Sequence, residues 1–75
     1  MDIETKVLLL GILKKEDDET LQDVVSKLEQ SRVFSLKEGK KLLKNLKSEG
    51  YIVESALSVK GDLEAKTIEK EFKIQ

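Results

Sequence analysis

The amino-acid sequence predicts a mainly α-helical domain with one short β-hairpin, in the order helix, helix, helix, strand, strand, helix. Four segments repeat apolar residues every three to four positions, which is the spacing of a helix packed on one side. Serine, threonine or glycine stands where several of these segments begin or end, as expected for helix caps and stops. A short apolar stretch with a tight turn lies between the third and fourth segments and predicts two strands. At 75 residues the chain is expected to form a single domain, residues 1–75.

The first helix is expected over about residues 2–15, and its middle is apolar in every direction around the axis. A surface helix of a globular domain normally shows a single apolar stripe. The rest of the chain could wrap this helix, or one side of it could meet a second copy of the protein, because so small a domain has little material to surround a helix. The second interpretation predicts a homodimer contact through Leu8 and Ile12.

An acidic link, residues 16–19, follows the first helix and is expected to be a solvated turn. It lacks the spaced oxygen ligands and the glycine of a calcium loop, so no metal site is predicted there. Thr20, with Asp23 three residues later, is predicted to cap a second helix that ends near Gln30. Val33 and Phe34 are too apolar for a free loop and are expected to enter the core. The second helix should pack through one stripe, formed by Leu21, Val24, Val25 and Leu28.

The third helix is the best-marked element and is expected over residues 35–49. Ser35 and Glu38 have the spacing of a capping box, and Gly50 is expected to stop the helix. Gly39 lies on its buried face, which predicts a close approach by the backbone of the second helix. At 100° per residue the leucines share one face and basic residues cover the opposite one. That basic face centres on Lys37, Lys41, Lys44 and Ser48, with Lys40 and Lys47 at one border and Glu38 and Asn45 at the other.

Two strands are predicted over residues 51–53 and 56–58, joined by a turn at Glu54 and Ser55. Ser58 can cap a last helix that reaches about Lys73. This helix has two apolar sides, of which one should face the core and the other is expected to meet a second copy of the chain. One side consists of Val59 and Leu63. The interface of the predicted homodimer combines both ends of the chain: Leu8, Ile12, Ala65, Ile68 and Phe72.

The composition argues against several classes of protein. The chain has no histidine and no cysteine, so the usual zinc ligands and the common nucleophile–base pairs are missing. We therefore expect no enzyme, no catalytic residue, no metal and no cofactor, and no small-molecule ligand is evident. The longest apolar run covers residues 7–10, far short of the roughly 20 residues of a membrane span. Because the amino-terminal segment is acidic and unlike a signal peptide, we expect a cytoplasmic protein.

The charges are segregated along the chain. Residues 1–30 carry four lysines and eight acids, a net −4; residues 31–50 carry five lysines and one arginine against two acids, a net +4; residues 51–75 carry four lysines and five acids, a net −1. These values add to the total of −1. A polyanion would therefore meet a basic surface only on the middle segment.

The segments TLQDVVSKL, LKEGKKLLKNLKSEGYIV and LSVKGDLEA, in this order, resemble the winged helix-turn-helix domains of small prokaryotic regulators. The resemblance implies a transcriptional regulator that binds duplex DNA as a dimer and places the third helix in the major groove. The acidic remainder of the chain and the acidic hairpin tip favour an alternative, a winged-helix module that assembles with another protein and does not bind DNA. The expected DNA contacts are Arg32, Ser35, Lys37, Lys40, Lys41, Lys44, Asn45 and Ser48.

Overall fold

The computed structural model describes residues 1–73, which form four α-helices and one two-stranded antiparallel hairpin. The predicted order of elements is confirmed, and each strand is one residue shorter than predicted. In the hairpin, Ile52 pairs with Leu57 and Val53 pairs with Ala56. The elements are α1 (Ile3–Leu13), α2 (Leu21–Gln30), α3 (Leu36–Ser48), β1 (Ile52–Val53), β2 (Ala56–Leu57) and α4 (Val59–Lys73).

The helices begin where the capping residues predict. The Thr20 side chain accepts a hydrogen bond from the Asp23 amide at 3.1 Å, and the Asp23 carboxylate accepts one from the Thr20 amide at 2.9 Å, a complete capping box. Ser35 accepts from the Glu38 amide at 3.1 Å, but within residues 1–73 the reciprocal bond to the Glu38 carboxylate is missing. The predicted capping box of α3 is therefore half formed.

α2 and α3 end in the same hydrogen-bonded turn, in which one residue adopts a left-handed backbone. At the end of α3 this residue is Gly50, with φ 82°, as the sequence predicts. At the end of α2 it is Arg32, with φ 63°. The paired amide-to-carbonyl bonds are Gly50 to Lys47 (3.2 Å) and Tyr51 to Leu46 (2.9 Å) after α3, and Arg32 to Glu29 (2.9 Å) and Val33 to Leu28 (3.0 Å) after α2.

The core surrounds α1, which packs against α4, α2 and β2. Leu8 and Leu9 are wholly buried, and Ile12 is 4% exposed. α2 joins α1 to α3, so α3 lies at the side of the domain with one face open to solvent. The core is completed by Leu21, Val24, Val25, Phe34, Leu43, Leu46, Ile52, Ala65 and Ile68.

The residues predicted for a dimer interface lie in this core instead. Leu8, Ile12, Ala65 and Ile68 are all at most 4% exposed within one chain, and Phe72 is partly buried against them. The reason is that α4 turns this apolar side toward α1. The other side of α4 faces outward, with Val59 80% and Leu63 62% exposed. The predicted set of interface residues is corrected accordingly: its side chains belong to the core of one chain and are not free to contact a second copy.

Gly39 does lie at a close approach between α3 and its neighbours, but side chains make it. A Cβ atom on Gly39 would stand 2.6 Å from Val25 Cγ1 and 2.7 Å from Phe34 Cε1. The prediction of a backbone approach is thus corrected. The prediction that Phe34 enters the core is confirmed, since its side chain is 9% exposed, and it does so without forming a strand.

The acidic link forms the predicted turn. Glu19 accepts a hydrogen bond from the Glu16 amide at 2.8 Å and pairs with Lys27. Within residues 1–73 no group of three or more Asp, Glu, His or Cys side chains is placed to hold a metal ion. In the same part of the chain no helix has both the length and the apolar character needed to cross a membrane.

Candidate nucleic-acid interface

The outward face of α3 carries the predicted basic surface. Gly39, Leu43 and Leu46 are buried and fix the rotation of the helix about its axis. The lysines, which lie on the remaining faces, are therefore directed to solvent. All eight predicted contact residues are exposed: Arg32, Ser35, Lys37, Lys40, Lys41, Lys44, Asn45 and Ser48.

The five lysines of α3 differ from most other lysines in having no carboxylate partner. Within residues 1–73 no Asp or Glu oxygen lies within 4 Å of any of them. Their positive charge is therefore not neutralised by the chain itself and remains available to an external anion. Five of the eight lysines outside α3 form ion pairs: Lys6–Glu71 (3.2 Å), Lys14–Glu69 (2.5 Å), Lys27–Glu19, Lys66–Asp62 (2.9 Å) and Lys73–Glu69 (3.7 Å).

These lysines form one continuous stripe. From Lys37 to Lys47 the helix rises about 15 Å, and the five side chains cover an arc of about 120° around the axis. Ser48 lies inside this arc. Lys47, which is absent from the predicted contacts, belongs to the stripe because it is exposed and unpaired within the described residues. The sequence already placed Lys47 at the border of the basic face, beside Lys40, and that position could have indicated a DNA contact.

Asn45 lies at the border of the lysine stripe. Asn45 is about 40° beyond Lys41 around the helix. It lines an open cleft of about 350 Å³ between α1 and α3, together with Asp2 and Glu49. Ser48 therefore stands among the lysines, whereas Asn45 also borders the cleft that Asp2 and Glu49 line.

The carboxy-terminal end of α3 is tied to the hairpin and to α4. Lys60 Nζ donates to the Glu49 carbonyl oxygen at 2.9 Å and lies 4.4 Å from the centre of the Tyr51 ring. Ser58 Oγ donates to the Gly50 carbonyl oxygen at 2.5 Å. These contacts hold the orientation of α3. The Lys60 ammonium group is itself bound at the carboxy-terminal end of that helix.

The hairpin tip is acidic. Glu54 is exposed and has a left-handed backbone with φ 59°. Because the hairpin is only two residue pairs long and ends in a carboxylate, it adds no positive charge to the surface of α3. The candidate interface consists of α3 and the turn before it.

Hydrogen bonds lower the pKa of three carboxylates outside α3. Bonds from Thr5 lower the pKa of Asp2. The Glu16 amide, and then Lys27, lower the pKa of Glu19, while the Lys14 ammonium lowers that of Glu69. These carboxylates lie at the cap of α1, in the acidic turn and on α4, outside the lysine stripe.

No protein-family model, no curated protein and no solved structure matches this chain. The basis for a function is therefore the geometry and charge of its own residues. The feature with the clearest chemical meaning among them is the lysine stripe of α3, which suits a ligand with regularly spaced negative charges.

Proposed function

We propose that this protein is a winged helix-turn-helix domain that binds duplex DNA as a small transcriptional regulator. The observation that carries the proposal is the stripe of five exposed lysines on α3, none of which has a carboxylate partner in the described part of the chain. The order of helices and hairpin supports it, because α3 precedes the hairpin as a recognition helix precedes its wing.

In this mechanism α3 lies in a major groove, which is wide enough to admit a helix. Lys37, Lys41 and Lys44, assisted by Lys40 and Arg32, contact phosphates and release their bound counterions. Phosphate contacts supply affinity and register, whereas sequence choice requires contacts with base edges. Ser48, inside the stripe, and Asn45, at its border, are the side chains available for this reading, so one protomer should have modest sequence specificity.

A fluorescence anisotropy titration on a mixed-sequence duplex at several salt concentrations tests the proposal. With about five phosphate contacts, the slope of log affinity against log salt concentration should be about −4 to −5 per protomer. Replacing Lys37, Lys41 and Lys44 by Ala should reduce the slope to about −2. The matched control replaces Lys15, Lys66 and Lys70 by Ala, which removes the same charge from positions outside α3 and should leave the slope unchanged. Binding without salt dependence, or unchanged binding by the α3 variant, would overturn the proposal.

The regulator is further proposed to act as a homodimer, which would pair two half-sites and so raise specificity. The outer side of α4 supports this, because Val59 and Leu63 are the two most exposed large apolar side chains in the described residues. The wild-type protein should then have a mass in solution of about twice the 8.5 kDa of one chain. The double variant Val59→Ser, Leu63→Ser should have the mass of one chain.

The same apolar pair favours a second candidate function, a winged-helix module that binds another protein. In this alternative Val59 and Leu63 contact a different partner, and the α3 lysines serve only to keep the surface solvated. The two candidates differ in measurable ways. A monomeric protein that shifts no duplex at low salt, and forms a stable complex with another protein that is lost in the α4 double variant, would favour the second.

A further inference from the structure

Arg32 stands in a backbone conformation that favours glycine. Its φ of 63° is left-handed, a region that side chains with a Cβ atom rarely adopt. The same turn ends α3, and there the equivalent position is Gly50. The chain thus uses glycine at one of two equivalent turns and arginine at the other, although glycine would relieve the strain at both.

The fold itself gives no use for this side chain. Arg32 is exposed, and no carboxylate within residues 1–73 lies within 4 Å of its guanidinium group. It is also the only arginine of the chain. Neither packing nor ion pairing within the described residues accounts for its presence at a strained position, and such positions persist most often at functional sites.

The position of Arg32 relative to α3 is well defined. It lies three residues before Ser35, the cap of α3, so the two α-carbons are at most about 11 Å apart. Buried Phe34 holds the intervening link, and the bond from the Val33 amide to Leu28 holds the turn. Arg32 therefore belongs to a turn that is held in place and lies near the amino-terminal end of α3, the positive end of the helix dipole.

We propose that Arg32 is the positioning residue of the interface. Its planar guanidinium group holds one DNA phosphate through two parallel hydrogen bonds, which lysine cannot form. This contact, at the amino-terminal edge of α3, fixes the register of the helix along the groove. The inference rests on the proposed DNA binding and adds to it a distinct role for one residue: the α3 lysines contact phosphates as point charges, and Arg32 adds an oriented, two-bond contact.

Three single variants test this role, each measured by thermal unfolding and by titration on the same duplex. Arg32→Gly should raise the unfolding midpoint by about 3 to 6 °C. It should also weaken binding about tenfold and reduce the magnitude of the salt slope by about 0.9. Arg32→Lys should keep the slope, because it keeps the charge, yet bind several-fold more weakly than wild type. Glu54→Gly is the matched control, since it relieves the other left-handed residue; it should be stabilised similarly with no loss of affinity.

The outcomes separate this inference from the proposed function. Arg32→Gly with unchanged affinity and slope would overturn the role of Arg32, and so would an Arg32→Gly protein less stable than wild type. If the triple α3 lysine variant still weakens binding in those cases, only the role of Arg32 fails. Unchanged binding by both the triple variant and Arg32→Gly would overturn DNA binding by this surface as well.

Discussion

The carbonyl oxygen of Tyr51 lies so close to the α-carbon of Gly61 that a Cβ atom on Gly61 would overlap it. The same oxygen accepts a hydrogen bond from the Ser58 amide at 3.0 Å. The beginning of the hairpin and the first turn of α4 are thereby held together at one point. Because α3 ends at Ser48, two residues before Gly50, this point also sets how α3 is presented to solvent.

Gly61→Ala should destabilise the protein by about 2 to 3 kcal/mol, because the added methyl group meets a backbone atom that cannot rotate away. The free energy of unfolding from urea titration measures the effect. Loss of the hairpin-to-α4 contact should also broaden the amide resonances of the hairpin.

Two other glycines serve as controls for this substitution. A Cβ atom on Gly11 would lie 3.0 Å from Val24 Cγ1, and the gain of about 1 kcal/mol in helix propensity offsets that contact, so Gly11→Ala should be nearly neutral. Gly39→Ala should fall between the two, since its neighbours are side chains of Val25 and Phe34 that can partly adjust. A Gly61→Ala protein as stable as Gly11→Ala would show that α4 can move away from Tyr51.

Ser58→Ala should cost about 1 to 2 kcal/mol of unfolding free energy. The hydroxyl accepts a hydrogen bond from the Gly61 amide at 3.0 Å and donates to the Gly50 carbonyl oxygen, so it caps α4 and joins it to the end of α3. Urea titration of Ser35→Ala, which removes a single cap bond, should give a smaller loss. Ser55→Ala is a third comparison, because Ser55 has no side-chain hydrogen bond in residues 1–73. If Ser55→Ala lost as much unfolding free energy as Ser58→Ala, the role of Ser58 in joining α4 to the end of α3 would be refuted.

The stability of the protein should fall as the pH is lowered, in part through Glu69. Its carboxylate lies 2.5 Å from the Lys14 ammonium, and this hydrogen bond holds the pKa of Glu69 below its ordinary value of 4.5. A carboxylate whose pKa is lower in the folded state stabilises the fold above its unfolded pKa, and that contribution is lost as pH falls through the folded value. Unfolding midpoints should therefore decline as the pH passes below 4.5.

Glu69→Gln should make this decline shallower, whereas Glu64→Gln should not, since Glu64 has no ion pair among residues 1–73. Added salt should reduce the difference between wild type and Glu69→Gln, because exposed pairs are screened. Equal acid sensitivity of wild type and Glu69→Gln would show that the Lys14–Glu69 pair contributes nothing to the fold. Lys27, whose pKa is raised chiefly by its hydrogen bond with Glu19, should act in the opposite direction, with its contribution lost at strongly alkaline pH.

The helix boundaries and the hairpin were predictable because their signals are local. Each predicted helix cap accepts a hydrogen bond from the amide three residues later; these caps are Thr20, Ser35 and Ser58. Gly50 adopts the left-handed backbone that ends α3 without the strain that a side chain would cause. Such effects act over a few positions and are readable along the chain. No such signal marked the left-handed conformation of Arg32, because residues other than glycine rarely adopt a positive φ.

The choice between the two apolar sides of α4 could not be read from the sequence. Ala65 and Ile68 on one side, and Val59 and Leu63 on the other, all have the spacing of a packed helix. Only the position of α1 decides which side is buried. The neighbours of Gly39 likewise depend on how α2 and α3 cross, a relation between residues far apart in the chain.

By itself the sequence determined the order of elements, their caps and the grouping of lysines on one face of α3, because periodicity and charge are properties of neighbouring residues. The tertiary structure alone decided which lysines keep their charge free. Lys14 caps the end of α1 and Lys44 lies on α3, and only the first meets an acidic residue of α4, Glu69. Ion pairing depends on which helices lie side by side, and that arrangement leaves the stripe on α3 without carboxylate partners within residues 1–73.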